Sequence, residues 1–64
     1  MKLTQREQEL YELITVHGLN LKEAAKVMVV SYSTVKTHFM HICLKKQCAS
    51  QLELIRYYYE EEKK

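Results

Sequence analysis

Apolar residues along this chain recur at intervals of three and four positions, the spacing that places side chains on one face of an α-helix. Three such runs are present, and their inward-facing members are Leu10, Leu13, Ile14 and His17 in the first, Ala24, Ala25 and Met28 in the second, and Val35, Phe39 and Ile42 in the third. Tyr11 is expected on the flank of the first run.

Capping signals predict where the helices begin and end. In a capping box, a Ser, Thr or Asn side chain accepts a hydrogen bond from the backbone N–H three residues later. The Glu at that later position accepts a hydrogen bond from the backbone N–H of the capping residue. Gly18 ends the first helix near Val16, and Gln47 stands where a glycine is expected after the third. Boxes at Thr4-x-x-Glu7, Asn20-x-x-Glu23 and Ser50-x-x-Glu53, with a Ser31 cap, predict helices over about residues 5–16, 21–28, 32–46 and 51–61, followed by a charged, frayed end.

The predicted fold class is all-α, with four helices in a single domain over residues 1–64. The chain has no Pro and one Gly, which favours helices joined by short turns. An apolar share of 47% argues against disorder. The small Ala24 and Ala25 allow two helices to cross closely, and Val29-Val30 is long enough for a bend of roughly 90–120°, as in a helix-turn-helix.

The outward face of the third helix carries Ser33, Lys36, Thr37 and Met40 and no acidic residue. A helix that buries one side and offers this mixture on the other suits a DNA major groove. The net charge of +2 is weak, but no acidic residue occurs between Glu23 and Glu53. The positive potential therefore falls on one segment, where phosphates can be met, and its lysines are Lys26, Lys36, Lys45 and Lys46.

Six short motifs recur along the chain at spacings that belong together: Leu3-Thr4-x-Arg6-Glu7-x-Glu9, Leu13-Ile14, Gly18-Leu19, Lys22-Glu23-x-Ala25, Ser31-x-x-Thr34-Val35-Lys36-x-His38 and Ile42-x-x-Lys45. Over roughly residues 3 to 55 they resemble the bacterial LuxR-type (GerE-type) helix-turn-helix family. The resemblance implies a four-helix domain in which the second and third helices read DNA and the fourth packs against its copy in a two-fold dimer.

Roles for individual residues follow from the outward face together with this resemblance. Lys36, Thr37 and Met40 are expected to contact base edges, the lysine at a guanine edge or a nearby phosphate, the threonine methyl at a thymine methyl. The expected DNA backbone contacts are Arg6, Ser31, Ser33, Thr34 and Lys45. The expected dimer contacts on the last helix are Leu52, Ile55, Tyr57 and Tyr59, because three successive tyrosines cannot all face one core.

Catalytic and metal sites are not expected. The chain has no Asp, and its single Gly cannot form a phosphate-binding loop, so we expect neither an enzyme nor a cofactor. Cys43 lies about 200° around the helix from His41 and there is no Cys-x-x-Cys pair, so no zinc site is expected. His38 is expected to be a half-buried structural residue, and Cys43 and Cys48 small reduced hydrophobes.

The sequence predicts a DNA-binding transcriptional regulator that acts as a homodimer on double-stranded DNA. We expect a cytoplasmic, nucleoid-associated protein without a membrane segment, and RNA polymerase is a further candidate partner. Two alternatives stay open. One is a promoter reader similar to the fourth conserved region of a sigma factor, attached to polymerase; the other is a protein-binding module that blocks a LuxR-type partner by heterodimerisation.

Overall fold

A computed structural model describes residues 2–63, and all regular structure in that range is helical. The prediction of an all-α, four-helix fold is confirmed. No helix within residues 2–63 has the length and apolar content needed to cross a lipid bilayer. The helices are α1 (Gln5–Thr15), α2 (Leu21–Met28), α3 (Tyr32–Lys46) and α4 (Gln51–Tyr57), and α4 continues as a π-helical segment (Tyr58–Glu62).

The helix starts use the predicted caps. Thr4 and Glu7 form a reciprocal capping box at α1, and Asn20 and its partner three residues on form another at α2. The third box is half formed: Ser50 accepts a hydrogen bond from the Glu53 backbone at 3.2 Å, but the Glu53 side chain does not bond back to the Ser50 backbone. Each cap satisfies backbone N–H groups that the first turn leaves unpaired, which fixes the helix start.

Three of the helix ends contain a residue in the left-handed backbone conformation. Gly18 has φ +69° and lets the chain leave α1, where the Leu19 N–H donates to the Leu13 carbonyl at 3.0 Å. Gln47 has φ 58° and ends α3 at the position where a glycine was expected. Val29 ends α2 with φ 57°, a conformation that a β-branched side chain rarely adopts.

The core lies where α1 meets the other three helices, and it corrects part of the predicted inward face. Tyr11, expected on the flank of α1, is buried, while His17, expected inside, is exposed. The reason is that α1 packs against α2, α3 and α4, so its buried face is wider than one stripe. The buried apolar residues are Leu10, Tyr11, Ile14, Ala24, Ala25, Met28, Val35, Ile42 and Leu54.

In α3 the predicted stripe of Val35, Phe39 and Ile42 is only partly correct. Val35 and Ile42 are fully buried, whereas Phe39 is half-buried at the edge of the core. On an ideal helix Val35 and Ile42 lie within about 20° of each other, and Phe39 lies about 40° from Val35 on one flank. Phe39 therefore covers the rim of the core rather than filling it.

The end of the chain differs from the expected single helix with a frayed tail. The π-helical segment begins at Tyr58, where a continuous α-helix to about residue 61 was predicted. The Glu62 carboxylate accepts hydrogen bonds from the Tyr11 hydroxyl and the Lys46 ammonium, both at 2.8 Å. Tyr58 also packs edge-to-face on Tyr11, with ring centroids 6.0 Å apart. These contacts tie the segment to α1 and α3, so the charged end is held in place through Glu62; Lys64 lies outside the described residues.

Candidate nucleic-acid interface

The third helix is held firmly enough to present one face to a ligand. Val35 and Ile42 anchor it against α1 and α2 without any exposure to solvent. At its C-terminal end, Lys45 reaches α1 and Lys46 reaches the π-helical segment. The face opposite these anchors is open to solvent along the length of the helix.

An exposed row of side chains runs along that open face, and we call it the outer stripe: Ser33, Thr37, Met40 and Leu44. Its members are separated by four, three and four residues, which places them opposite Val35. Met40 is 60% exposed and Leu44 is 71% exposed. The sequence reasoning missed Leu44, although its spacing from Met40 would have identified it.

Lys36 lies beside the outer stripe and is exposed. Its ammonium nitrogen is 5.6 Å from the centroid of the Tyr32 ring one turn earlier, a cation–π contact. This contact leaves the ammonium hydrogens available, because a ring face attracts the charge without accepting a directed hydrogen bond of full strength. Lys36 is thus the cation that α3 offers next to its apolar row.

Hydroxyl groups cluster at the start of α3. Ser31 Oγ accepts from the Thr34 backbone at 3.2 Å and lies 2.8 Å from Thr34 Oγ1 and 3.2 Å from Ser33 Oγ. The Thr37 hydroxyl donates to the Ser33 carbonyl at 3.1 Å. All four side chains are exposed, so the first turns of α3 present a small polar surface at the helix N-terminus.

Arg6 and Lys45, predicted to contact the DNA backbone, both have partners within the protein. Arg6 donates to Glu9 at 2.9 Å and to the Met28 carbonyl at 3.2 Å, while its guanidinium stays substantially exposed. Lys45 Nζ lies 2.6 Å from the buried Glu7 carboxylate. The hydrogen bond from Lys45, followed by that from the Thr4 backbone, holds the pKa of Glu7 below its usual range.

The four predicted dimer residues divide into two pairs. Leu52 is 67% exposed and Tyr59 is 49% exposed. Ile55 is half-buried and packs against the core, and the Tyr57 ring lies under the Lys46 ammonium, 5.1 Å from it. Leu52 and Tyr59 are seven residues apart, near two helical turns, and form the open apolar part of the last helix.

A shallow apolar groove of about 340 Å³ adjoins the outer stripe, and sequence reasoning did not find it. It forms where α3 passes the start of α2 and the loop before α4, so its lining residues are spread over residues 21 to 49. Met40 belongs to both the outer stripe and this groove. The lining residues are Leu21, Lys36, Phe39, Met40, Cys43 and Ala49.

The thiols and imidazoles do not assemble into a metal site within residues 2–63. Burial raises the pKa of the Cys43 and Cys48 thiols, which disfavours the thiolate that metals and oxidants need. His38 is half-buried. His41 Nδ1 lies 3.5 Å from Glu7, beside the Lys45 contact.

Comparison with known protein families matches residues 1–45 to the family described as sigma-70, region 4. The matched residues include α1, α2 and almost all of α3, and they stop before α4. No curated protein and no solved structure matches the chain. The match confirms the prediction of a helix-turn-helix DNA-binding domain, while the LuxR-type assignment and the homodimer stay predictions.

Proposed function

Because the chain belongs to the sigma-70 region 4 family, whose helix-turn-helix binds DNA, we propose that it recognises a specific duplex sequence by inserting α3 into the major groove. The observation that carries the proposal is the exposed, acid-free face of a helix whose opposite side is anchored by Val35 and Ile42. Lys36, Thr37 and Met40 are assigned to base edges. Binding at a promoter or operator then regulates transcription.

The DNA backbone contacts are assigned to the polar groups at the start of α3 and to Arg6. Ser31, Ser33 and Thr34 surround the N-terminus of a 15-residue helix, where free N–H groups and hydroxyls suit a phosphate. Arg6 keeps an exposed guanidinium. Lys45 takes a lesser part, since a phosphate contact competes with its bond to Glu7.

The experiment that tests groove binding by α3 is the substitution Lys36→Ala. Specific binding should weaken by about 1–3 kcal/mol, measured at matched salt on a site selected from a random duplex library. Lys2→Ala is the matched control, since it removes the same charge from an exposed side chain that lies outside α3 and the last helix. Equal affinities of the Lys36 variant and the parent protein would contradict the proposal.

For the assembly on DNA, we propose a homodimer formed through the last helix, with residues 1–64 acting as one domain. The exposed Leu52 and Tyr59 support this arrangement, as does the resemblance to LuxR-type domains. Two reading helices related by a two-fold axis would contact half-sites about one helical turn apart, in an inverted repeat. One helix against one helix is a small contact, which favours dimerisation on DNA over a stable dimer in solution.

A second candidate is a single-copy promoter reader that works together with RNA polymerase, and the family match favours it. This arrangement predicts one copy per site and a selected sequence without two-fold symmetry. Stoichiometry of the complex on the selected site, measured by analytical ultracentrifugation, separates the two. Two copies on an inverted repeat support the homodimer, and one copy on an asymmetric site supports the promoter reader.

A further inference from the structure

The outer stripe of α3 is unusually apolar for a helix that faces a nucleic acid. Met40 and Leu44 expose their side chains one turn apart, and the neighbouring groove continues the apolar surface through Phe39 and Cys43. Apolar side chains that are exposed next to one another, rather than singly, make this face a candidate binding surface. The composition of the stripe therefore carries information about what α3 contacts.

The hydrogen-bonding capacity of the same face is largely used within the protein. The single hydroxyl hydrogen of Thr37 is donated to the Ser33 carbonyl, and Ser33 Oγ lies within hydrogen-bond distance of Ser31 Oγ. No Arg, Asn, Gln, Asp or Glu occurs between residues 32 and 46. Together with Lys, these are the residue types that recognise guanine, adenine and cytosine edges. Lys36 is therefore the guanine reader that this part of α3 offers, and it lies beside the outer stripe rather than on it. What the stripe offers is the Thr37 methyl, the Met40 thioether and the Leu44 isobutyl group.

We infer that the outer stripe recognises the 5-methyl groups of pyrimidines, with Met40 and Leu44 as the specificity-determining residues. In the major groove thymine is the base that presents a methyl group, and apolar side chains contact it. The same methyl occurs on 5-methylcytosine, so the ligand class is a 5-methylpyrimidine rather than thymine alone. This inference rests on the proposed function, since it requires α3 to lie in the groove.

Met40 is suited to this contact by its position and its chemistry. Met40 belongs to the outer stripe and also lines the adjoining groove, where its neighbours include the apolar Leu21 and Phe39. Its unbranched, polarizable side chain adapts to the position of a methyl group. Leu44 extends the same surface by one turn, and Lys36 at the edge of the stripe supplies the positive charge that the apolar groups lack.

The test uses the full chain and a duplex selected from a random library. Each thymine of the selected site is replaced in turn by deoxyuridine, which removes the 5-methyl group and leaves the base-pairing edge intact. At the contacted positions the parent protein should lose about fourfold in affinity per methyl removed. Where a C·G pair replaces such a T·A pair, methylating the cytosine at C5 should restore about the same factor.

Protein variants locate the contact on the outer stripe. The parent protein should distinguish thymine from deoxyuridine at each contacted position of the site. Met40→Ala should lose this difference in affinity at one of these positions, and Leu44→Ala should also lose it at one. Val16→Ala is the control, because it shortens an exposed apolar side chain on α1 and should keep the parent's discrimination. Circular dichroism checks that each variant keeps its helices.

The remaining outcomes overturn the inference in distinguishable ways. Specific binding with equal affinity for thymine and deoxyuridine leaves the proposed function standing and removes the methyl contact. Unchanged discrimination in both Met40→Ala and Leu44→Ala places the contact elsewhere on the protein. If selection enriches no sequence, the proposed function fails as well, and the apolar face is a protein-binding surface.

Discussion

Val29 is a residue whose backbone conformation opposes its side chain. It adopts φ 57° at the end of α2, and its side chain is 86% exposed, so no packing offsets the strain. For a residue with a Cβ, the left-handed conformation costs roughly 1–2 kcal/mol, and β-branching adds to the crowding. The turn between α2 and α3 therefore carries a local energetic penalty.

Replacing Val29 with Gly should raise the free energy of unfolding by about 1 kcal/mol, because glycine adopts positive φ without a steric cost. Urea unfolding followed by circular dichroism measures the change. Val27→Gly is the matched control, since Val27 is also exposed but lies inside α2, where the change to glycine should lower the free energy of unfolding by about 0.5 kcal/mol. The same sign for both variants would refute the strain at Val29.

At the scale of elements, the last helix has a core-facing side that stabilises the fold and a solvent-facing side that we propose for dimer contact. Its inner side places Leu54 in the core and Tyr58 against Tyr11. Its outer side exposes Leu52 and Tyr59. A change on the outer side can therefore alter association while leaving the packing intact.

Tyr59→Asp should abolish cooperative binding to a site with two half-sites, because it places a charge in the proposed dimer contact. Binding to a single half-site and the circular dichroism spectrum should stay unchanged. Tyr59→Phe keeps the ring and serves as the control, and Leu52→Asp should reproduce the loss. Gel-shift titrations on one and two half-sites measure the effect; parent protein that gains nothing from a second half-site would contradict the dimer.

The elements that sequence predicted best are those with local signals. Residues 21–28 and 32–46 were predicted as helices and match α2 and α3, because caps such as Asn20 and Ser31 and stop positions such as Gln47 are encoded within a few residues. The outward positions of Ser33, Lys36, Thr37 and Met40 on α3 also followed from helical spacing.

What sequence did not predict depends on contacts between distant residues. The buried Tyr11 donates its hydroxyl hydrogen to Glu62 of the π-helical segment, which is 51 positions away. The apolar groove requires Leu21, Phe39 and Ala49 to come together. Likewise, Lys45 was predicted to contact the DNA backbone, and its partner within the protein is Glu7, 38 positions away. Local periodicity holds no information about such pairs.

At the scale of the whole molecule, two adjacent lysines at the end of α3 connect it to both ends of the chain. Lys45 binds Glu7 on α1, and Lys46 binds Glu62 on the π-helical segment. Burial raises the pKa of Glu62, whereas the hydrogen bonds from Lys46 and Tyr11 lower it. The hydrogen bonds prevail, so the pKa of Glu62 lies below its usual range. Both carboxylates are therefore ionised more readily in the folded state than in the unfolded state.

Acid should weaken the fold through these two carboxylates. Their pKa values are depressed on folding, so their stabilisation is fully present above the usual carboxyl pKa near 4.5 and is lost as the pH falls through the lowered values. Thermal midpoints measured from pH 7 to pH 2 should fall most steeply below about pH 4.5.

Glu7→Gln should flatten that decline, since a neutral amide no longer titrates, although its midpoint at pH 7 should be lower because Lys45 loses its charged partner. Glu12→Gln, at an exposed position of α1, is the control and should follow the parent profile. A Glu7→Gln profile parallel to the parent's would show that the acid sensitivity arises elsewhere.

The anchoring of α3 at both ends also bears on how fast the domain can engage a target. Its first turn is capped by Ser31, and its last turn is tied to two other segments by Lys45 and Lys46. A helix already shaped in the free protein has no ordering step to complete at the moment of contact, so association should be limited by encounter and orientation. Electrostatic attraction can then raise the association rate directly, and added salt should slow association more than it speeds dissociation.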